Sequence, residues 1–302
     1  MSTQPVTGSF VEKLCQTAPS YRNLMSGFKI IDIRTAAEQF YSSTEPPQSD
    51  DYYDLFDTVK PPFDRCIFEF RGGDREFQNG ETSFEIEDIA VLVESVAIGL
   101  EDKTTLSKGY PGNDVVWAIR MRWVYASGRE IHFPPADFAC FLNSDGRLFR
   151  AASGKLVAFG AREENLFSDS NRELISFGVH PVLFALTLIH CKNVHLATVT
   201  APLSLSMKKS KRRKQIEVRK RYPPFERHVV IIRDKKGQIV QRGLGPQLAA
   251  SHKRMHLVRG HFSTYTDTAP LFGRIVGRFW IPAHLSGLAS EGVIDSDYRL
   301  EA

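Results

Sequence analysis

The densest group of chemically capable side chains stands near the C-terminal end, in Arg254-Met-His256-Leu-Val-Arg259-Gly260-His261-Phe262. A second piece follows, Phe272-Gly-Arg274-Ile-Val-Gly-Arg278-Phe-Trp280-Ile-Pro-Ala-His284. Imidazoles titrate near neutral pH, so a pair of histidines can serve as acid and base. Guanidinium groups stabilise negative charge developing on a phosphate. His256, His261, His284 and Arg259 therefore hold the parts of metal-independent phosphodiester cleavage, in which RNA supplies its own 2′-OH as nucleophile. Arg254, Arg274, Arg278 and Trp280 suit phosphate contact and base stacking without any reaction. Three histidines also have the chemistry of a zinc site. The His-x4-His spacing does not match one helix turn, however, and the local glycine favours strand or loop. No metal and no cofactor is expected. The plain alternative for these residues is structural: arginine and histidine pinning main-chain oxygens, and the tryptophan in a core.

The charge distribution points the same way. The chain of 302 residues has 39 Lys+Arg against 35 Asp+Glu, a net of +4. Residues 201–302 hold 20 of the cations and 8 of the anions, a net of +12, which leaves 19 and 27, a net of −8, for residues 1–200. A basic segment of that size attracts polyanions and is the electrostatic footprint of nucleic-acid binding. The competing explanation is that it docks on the acidic part of its own chain or on an acidic partner protein. Residues 207–222, which include Arg212 and Arg213, form a basic run before Pro223-Pro224. They read as a charged linker or a nucleic-acid arm, the alternative being a solvated loop.

The elements that must position these groups follow from hydrophobic periodicity. Residues 1–60 look peripheral, with a short helix over Phe10 to Thr17 and a strand over Phe28 to Arg34. From Pro61 the pattern becomes strand-rich: Cys66 to Phe70, Ile89 to Ile98, and Asp114 to Tyr125. In the last of these, Arg120 and Arg122 alternate with Ile119, Met121 and Trp123. Ser127-Gly128 is a hairpin turn before Arg129 to Phe133. Glu69 reads as an outward residue of its strand, the alternative being a buried functional carboxylate. Ser170 with Glu173 is a capping box opening an apolar helix. Pro181 is expected to kink or split that helix, and Asn193 to end it. His190 and His195, at its end, read as structural. In residues 256–262, alternation groups His256, Val258 and Phe262 against Leu257, Arg259 and His261, unless Gly260 hosts a bulge. In residues 274–281, Arg274, Val276, Arg278 and Trp280 share one face, and the apolar face of Ile275, Gly277, Phe279 and Ile281 is expected to enter the core.

The expected architecture is α+β: a mostly antiparallel sheet with one or two buried helices and a C-terminal basic β-rich module. The boundaries are a peripheral segment at 1–60, a core region at 61–200, a basic linker at 201–226 and a His/Arg-rich module at 227–302. The four cysteines are far apart, without a C-x-x-C pair, so neither a disulfide framework nor a cysteine zinc site is expected. No apolar run reaches the length of a membrane span and no signal-peptide pattern opens the chain. The expected compartment is the cytoplasm, the host's if a phage encodes the chain. There is no phosphate-binding loop, nucleophile elbow, dinucleotide fingerprint or H-E-x-x-H zinc motif.

Arg254, His256, Arg259, Gly260, His261, Phe262, Pro270, Phe272, Gly273, Gly277, Trp280 and His284 together resemble a motif of a family of phage, prophage and bacterial proteins. There a segment of the form Arg-x-His-x-x-Arg-Gly-His-Phe/Trp precedes a Gly- and Trp-containing strand and a final histidine. The likeness extends to Cys191-Lys-Asn-Val194 and to Pro62-Phe63 before Ile67-Phe68-Glu69. It departs after His284, where Leu285-Ser286-Gly287 lacks the usual arginine. The resemblance implies phage or mobile-element origin and implies no reaction. The leading expectation is a nucleic-acid-binding protein, RNA included. A ribonuclease-like toxin or defence enzyme and a module acting on a host protein are the alternatives.

Overall fold

The computed structural model describes residues 9–17, 19–43, 56–72, 76–79, 82–97, 115–127, 130–132, 138–149, 158–160, 169–199, 225–233, 254–258, 260–272, 274–282, 284–286 and 288–293. Three helices and one strand open the chain: α1 (Phe10–Thr17), α2 (Pro19–Leu24), β1 (Lys29–Asp32) and α3 (Arg34–Ser43). Strands β2 (Arg65–Arg71), β3 (Glu76–Asn79), β4 (Thr82–Glu85), β5 (Asp88–Ala97), β6 (Val115–Ser127), β7 (Glu130–His132), β8 (Phe138–Asn143) and β9 (Ala158–Gly160) follow. The long helix α4 (Asp169–Ile189) precedes β10 (Val194–Val199) and β11 (Arg227–Ile232). The remaining strands are β12 (Arg254–Val258), β13 (His261–Tyr265), β14 (Gly277–Ile281), β15 (His284–Ser286) and β16 (Leu288–Val293).

Nine strands form one mixed sheet in the order β10-β11-β1-β2-β5-β6-β8-β9, with β7 paired to β6. All pairings are antiparallel except those of β1, which runs parallel to both β2 and β11. The α+β class and the mostly antiparallel sheet match the expectation. Two boundaries do not. The strand from the supposedly peripheral first sixty residues sits inside the sheet. β11, expected within the C-terminal module, lies in that sheet between β10 and β1. Ile30 and Ile31 are fully buried, and burying both faces of an interior parallel strand outweighs its distance from its partners in sequence.

The register gives each face of the sheet its own core. Ile31, Phe68, Val91 and Trp123 are aligned across β1, β2, β5 and β6, and all four pack in the larger cluster with α3 and α4. The next row, Ile30, Ile67 and Leu92, packs in the smaller cluster with Phe10, Val11 and Leu14 of α1. The expected alternation in β6 holds. Ile119, Met121 and Trp123 are buried, while Arg122 reaches Glu94 (2.9 Å), which also accepts from Arg65 (3.2 Å). Gly72 ends β2 against the chain before β5, where an added Cβ would fall 1.9 Å from the Ile86 carbonyl oxygen.

α4 runs unbroken through Pro181, so the expected split does not occur. Proline lacks an N–H and deprives the carbonyl four residues earlier of its donor. That carbonyl belongs to Phe177, and the Tyr41 hydroxyl of α3 donates to it at 3.2 Å. The side of α4 that loses a helical bond is thus supplied by a neighbouring helix. The helix stops at Ile189, before Asn193, and already includes Ser170. All four cysteines are buried free thiols. Among the described residues, no helix is long and apolar enough to cross a membrane.

Candidate nucleic-acid interface

Each of the two sequence pieces with chemical promise is divided between two ladders. β12 pairs with β15, aligning His256 with Ser286 and Val258 with His284. Positions 256 and 284 therefore stand two steps apart on neighbouring strands. β13 pairs with β14, aligning His261 with Ile281, Phe262 with Trp280 and Thr264 with Arg278. β12 and β13 belong to different sheets, so His256 and His261 are on separate ladders. Arg254 and His256 lie on β12 and His284 on β15; their side chains are outside the description. Arg212, Arg213 and Arg259 lie wholly outside the described residues.

The β13–β14 hairpin is anchored at one end. Trp280 is 2% exposed and belongs to the main core. Its ring meets Phe184 of α4 edge-on at 5.0 Å and Phe262 at 4.8 Å. Its indole N–H donates to Gln39 Oε1 of α3 at 2.7 Å, which satisfies the polar atom that burial would otherwise strand. Asn193 fixes the strand beside it: its amide donates to the Trp280 and Arg233 carbonyls, both at 2.8 Å, and its oxygen accepts from Trp280 N at 3.0 Å. Arg278 donates to Asp57 Oδ2 at 2.7 Å and lies over the Phe262 ring, 4.4 Å from its centroid. Asp57 Oδ1 accepts from Arg147 at 2.9 Å. Gly277 opens β14 with a φ of 131° against Lys192, where a Cβ would meet the side chain at 2.9 Å.

The face assignment for β14 is therefore corrected. Alternation separates the two faces properly, but the face holding Arg278 and Trp280 is the one turned to α4. Ile275, expected in the core, is about two-fifths exposed. Trp280 is a core residue and offers no ring for stacking. Arg278 already has a carboxylate partner. The indole has more apolar area to hide than the side chains of the other face, and period-two alternation cannot say which face docks.

The other end of the hairpin is its opposite. Leu271 and Ile275 exchange both main-chain bonds, Leu271 N to Ile275 O at 2.8 Å and Ile275 N to Leu271 O at 3.0 Å. They close the apex of the hairpin, which carries Phe272 and Arg274. Phe272 is 66% exposed with a φ of 51°, and Arg274 is exposed beside it. His261, at the start of β13, is exposed as well. Phe272 is among the residues that carry the family resemblance, but the sequence assigned it no part in the site. The signal that pointed to it was the loop composition Pro270-Leu-Phe-Gly-Arg274.

A second group of charges lies inside the main sheet. Asp32 and Glu69 are aligned on β1 and β2, and both are buried. Asp32 accepts from Arg227 of β11 at 2.7 Å and from Arg34 at 2.9 Å. Burial alone would push the Asp32 carboxyl up, but the bonds to Arg34 and the charge of Arg227 outweigh it and hold it below the usual aspartate range. Glu69, expected to face outward, is instead enclosed under α1. It accepts from Ser9 Oγ at 2.5 Å and Val11 N at 2.7 Å. Burial pushes its carboxyl up, against the pull of those two bonds. Ser9 also accepts from Glu12 N at 3.2 Å, so α1's N-cap and the Glu69 clasp share one hydroxyl. These carboxylates tie the first helix to β2 and hold β11 beside β1 in the interior of the sheet. His190 bonds the Lys60 carbonyl at 2.8 Å, as a structural histidine would. Among the described residues, no group of three His, Cys, Asp or Glu side chains is arranged to hold a metal ion.

A mixed-sheet α+β protein with a basic C-terminal part is thus the class that fold and charge define. No protein-family model matches the chain, and no curated protein matches it. A solved structure, the crystal structure of AcrVA2, is similar over 85% of this chain and 71% of that one, at 12% identity and a TM-score of 0.31. A likeness at that level carries no argument.

Proposed function

We propose that this chain binds nucleic acid, RNA included, through its C-terminal basic segment, and that it is of phage or mobile-element type. The observation that carries the reading is the segregation of charge, +12 over residues 201–302 against −8 over 1–200. Arg227 is paired with Asp32 and Arg278 with Asp57, while Arg274 stands exposed. Positive charge gathered in one segment draws a polyanion at long range and releases counterions on contact. Trp280 is withdrawn from the interface on the geometry above. Arg212, Arg213, Arg254 and Arg274 remain its proposed cations.

The test is binding of labelled RNA followed by anisotropy across a salt series. The affinity falls with a slope of about −0.7 per phosphate neutralised on a single strand. Absence of binding at low salt overturns the reading.

A second reading, RNA cleavage, is favoured by one observation: β12 and β15 bring positions 256 and 284 onto adjacent strands. In it, His256, His284 and Arg259 act on the phosphodiester, with His261 contributing from the neighbouring ladder. Incubation with RNA, with and without chelator, decides it. Cleavage that survives chelation and is lost in His256→Ala with binding retained supports the enzyme, and intact RNA leaves a binding protein.

A further inference from the structure

The aromatic that the hairpin shows to solvent is not Trp280 but Phe272, and it is placed there at a cost. A bulky L-residue rarely adopts the left-handed region, because its Cβ crowds the neighbouring carbonyl. Phe272 does so with a φ of 51° while leaving 66% of its surface in water. Glycine or asparagine would take the same backbone more easily. The two main-chain bonds between Leu271 and Ile275 hold the apex in this shape. A ring that leaves two-thirds of its surface in water gains little from packing within the chain, and strain of this kind gathers at ligand-contacting sites. The surroundings agree. Among the described residues, five large hydrophobic side chains are exposed, and three of them, Phe272, Ile275 and Val276, lie at or next to this apex.

We infer that the apex is a contact for single-stranded nucleic acid, with the Phe272 ring stacking on an unpaired base and Arg274 meeting a flanking phosphate. The inference rests on the nucleic-acid reading above and names the form of ligand. The chemistry of the pair selects it. Every base has a π-face, so stacking on phenylalanine is sequence-tolerant, and a guanidinium two residues along supplies the anionic contact. The cationic excess of residues 201–302 falls before position 254, and residues 254–302 hold 5 Lys+Arg against 5 Asp+Glu, so the anionic contact at the apex is that of Arg274 itself. Bases in a duplex are stacked on one another, so an aromatic apex has no free face to meet. The aliphatic Ile275 and Val276 would equally suit a protein surface, and the test separates the two.

The experiment uses the full chain and short fluorescein-labelled oligo(U), oligo(dT) and duplex DNA, at one salt concentration. Phe272→Gly removes the ring and relaxes the backbone together. It is expected to melt at or above the temperature of the unaltered chain. It is also expected to lose on the order of tenfold in affinity for oligo(U) and oligo(dT), with duplex binding unchanged. Phe272→Tyr, which keeps a stacking ring, is expected to bind as the unaltered chain does. Loss of affinity without loss of stability cannot come from misfolding. Equal oligo(U) affinity in Phe272→Gly and the unaltered chain overturns the inference whatever the duplex result, and leaves the apex to a protein partner. Absence of binding to all three probes in the unaltered chain overturns the nucleic-acid reading itself.

Discussion

Aromatic and guanidinium side chains occur at both ends of the β13–β14 hairpin and meet opposite fates. At the α4 end, Trp280 is buried against Phe184 with its N–H on Gln39, and Arg278 is held by Asp57 and the Phe262 ring. At the apex, eight residues before Trp280 in sequence, Phe272 and Arg274 face solvent. The contrast teaches that residue type nominates a binding surface while packing decides which residues are spent on the fold. The buried carboxylates of the main sheet make the same point. Asp32 and Glu69 have the chemistry of an acid–base pair, yet their bonds to Arg34, Arg227, Ser9 and Val11 join sheet to helix.

The contrast breaks if the anchored groups prove dispensable. The largest expected effect is at Asp32. Asp32→Asn leaves Arg227 buried without its charge partner, a loss of about 3–5 kcal/mol, measured by urea denaturation at neutral pH. The sign of the pH dependence follows from the lowered pKa of this carboxyl. Its contribution is present above the unfolded-state value and is lost as the pH falls through the lower folded value. Relative to Asp32→Asn, the unaltered chain should therefore keep its advantage through mildly acidic pH and lose it only below about 4. An advantage already gone at higher pH would place the stabilising pair elsewhere.

Trp280→Phe ranks next. It shrinks the ring and removes the indole N–H bond to Gln39 Oε1, costing about 1–3 kcal/mol, read from the shift in denaturation midpoint. If Phe272→Ala costs as much, the two ends are not different in kind. Tyr41→Phe is expected to cost roughly 1 kcal/mol by withdrawing the hydroxyl from the Phe177 carbonyl that Pro181 leaves without a donor. Its measured signature is faster amide exchange in the following turn of α4. The smallest stability effect is at Arg274. Arg274→Ala is expected within about 0.5 kcal/mol of the unaltered chain, while the salt slope of RNA binding becomes shallower by about 0.7. An unchanged slope removes Arg274 from the interface.

Local signals in the sequence specified much of the fold. Alternation marked β2, β5 and β6 and separated Arg120 and Arg122 from Ile119, Met121 and Trp123, because a pleated strand sends successive side chains to opposite faces. The apolar stretch before Cys191 marked α4, and the Ser127-Gly128 turn marked the β6–β7 hairpin. Charge arithmetic, which needs no structure, singled out the C-terminal third. Pairings between distant segments were beyond such signals. Nothing near Ile30 announces that it lies between Ile67 and Arg227, and that placement made β1 interior and buried Glu69 under α1. Likewise the pattern of β14 defined two faces, and only the position of Phe184 on α4 determined which one became core. Composition and periodicity act over a few residues, so the sequence alone determined element types and the seat of positive charge. Which of those charges and rings remained available to a ligand was decided by long-range contacts, since burial belongs to the folded chain as a whole.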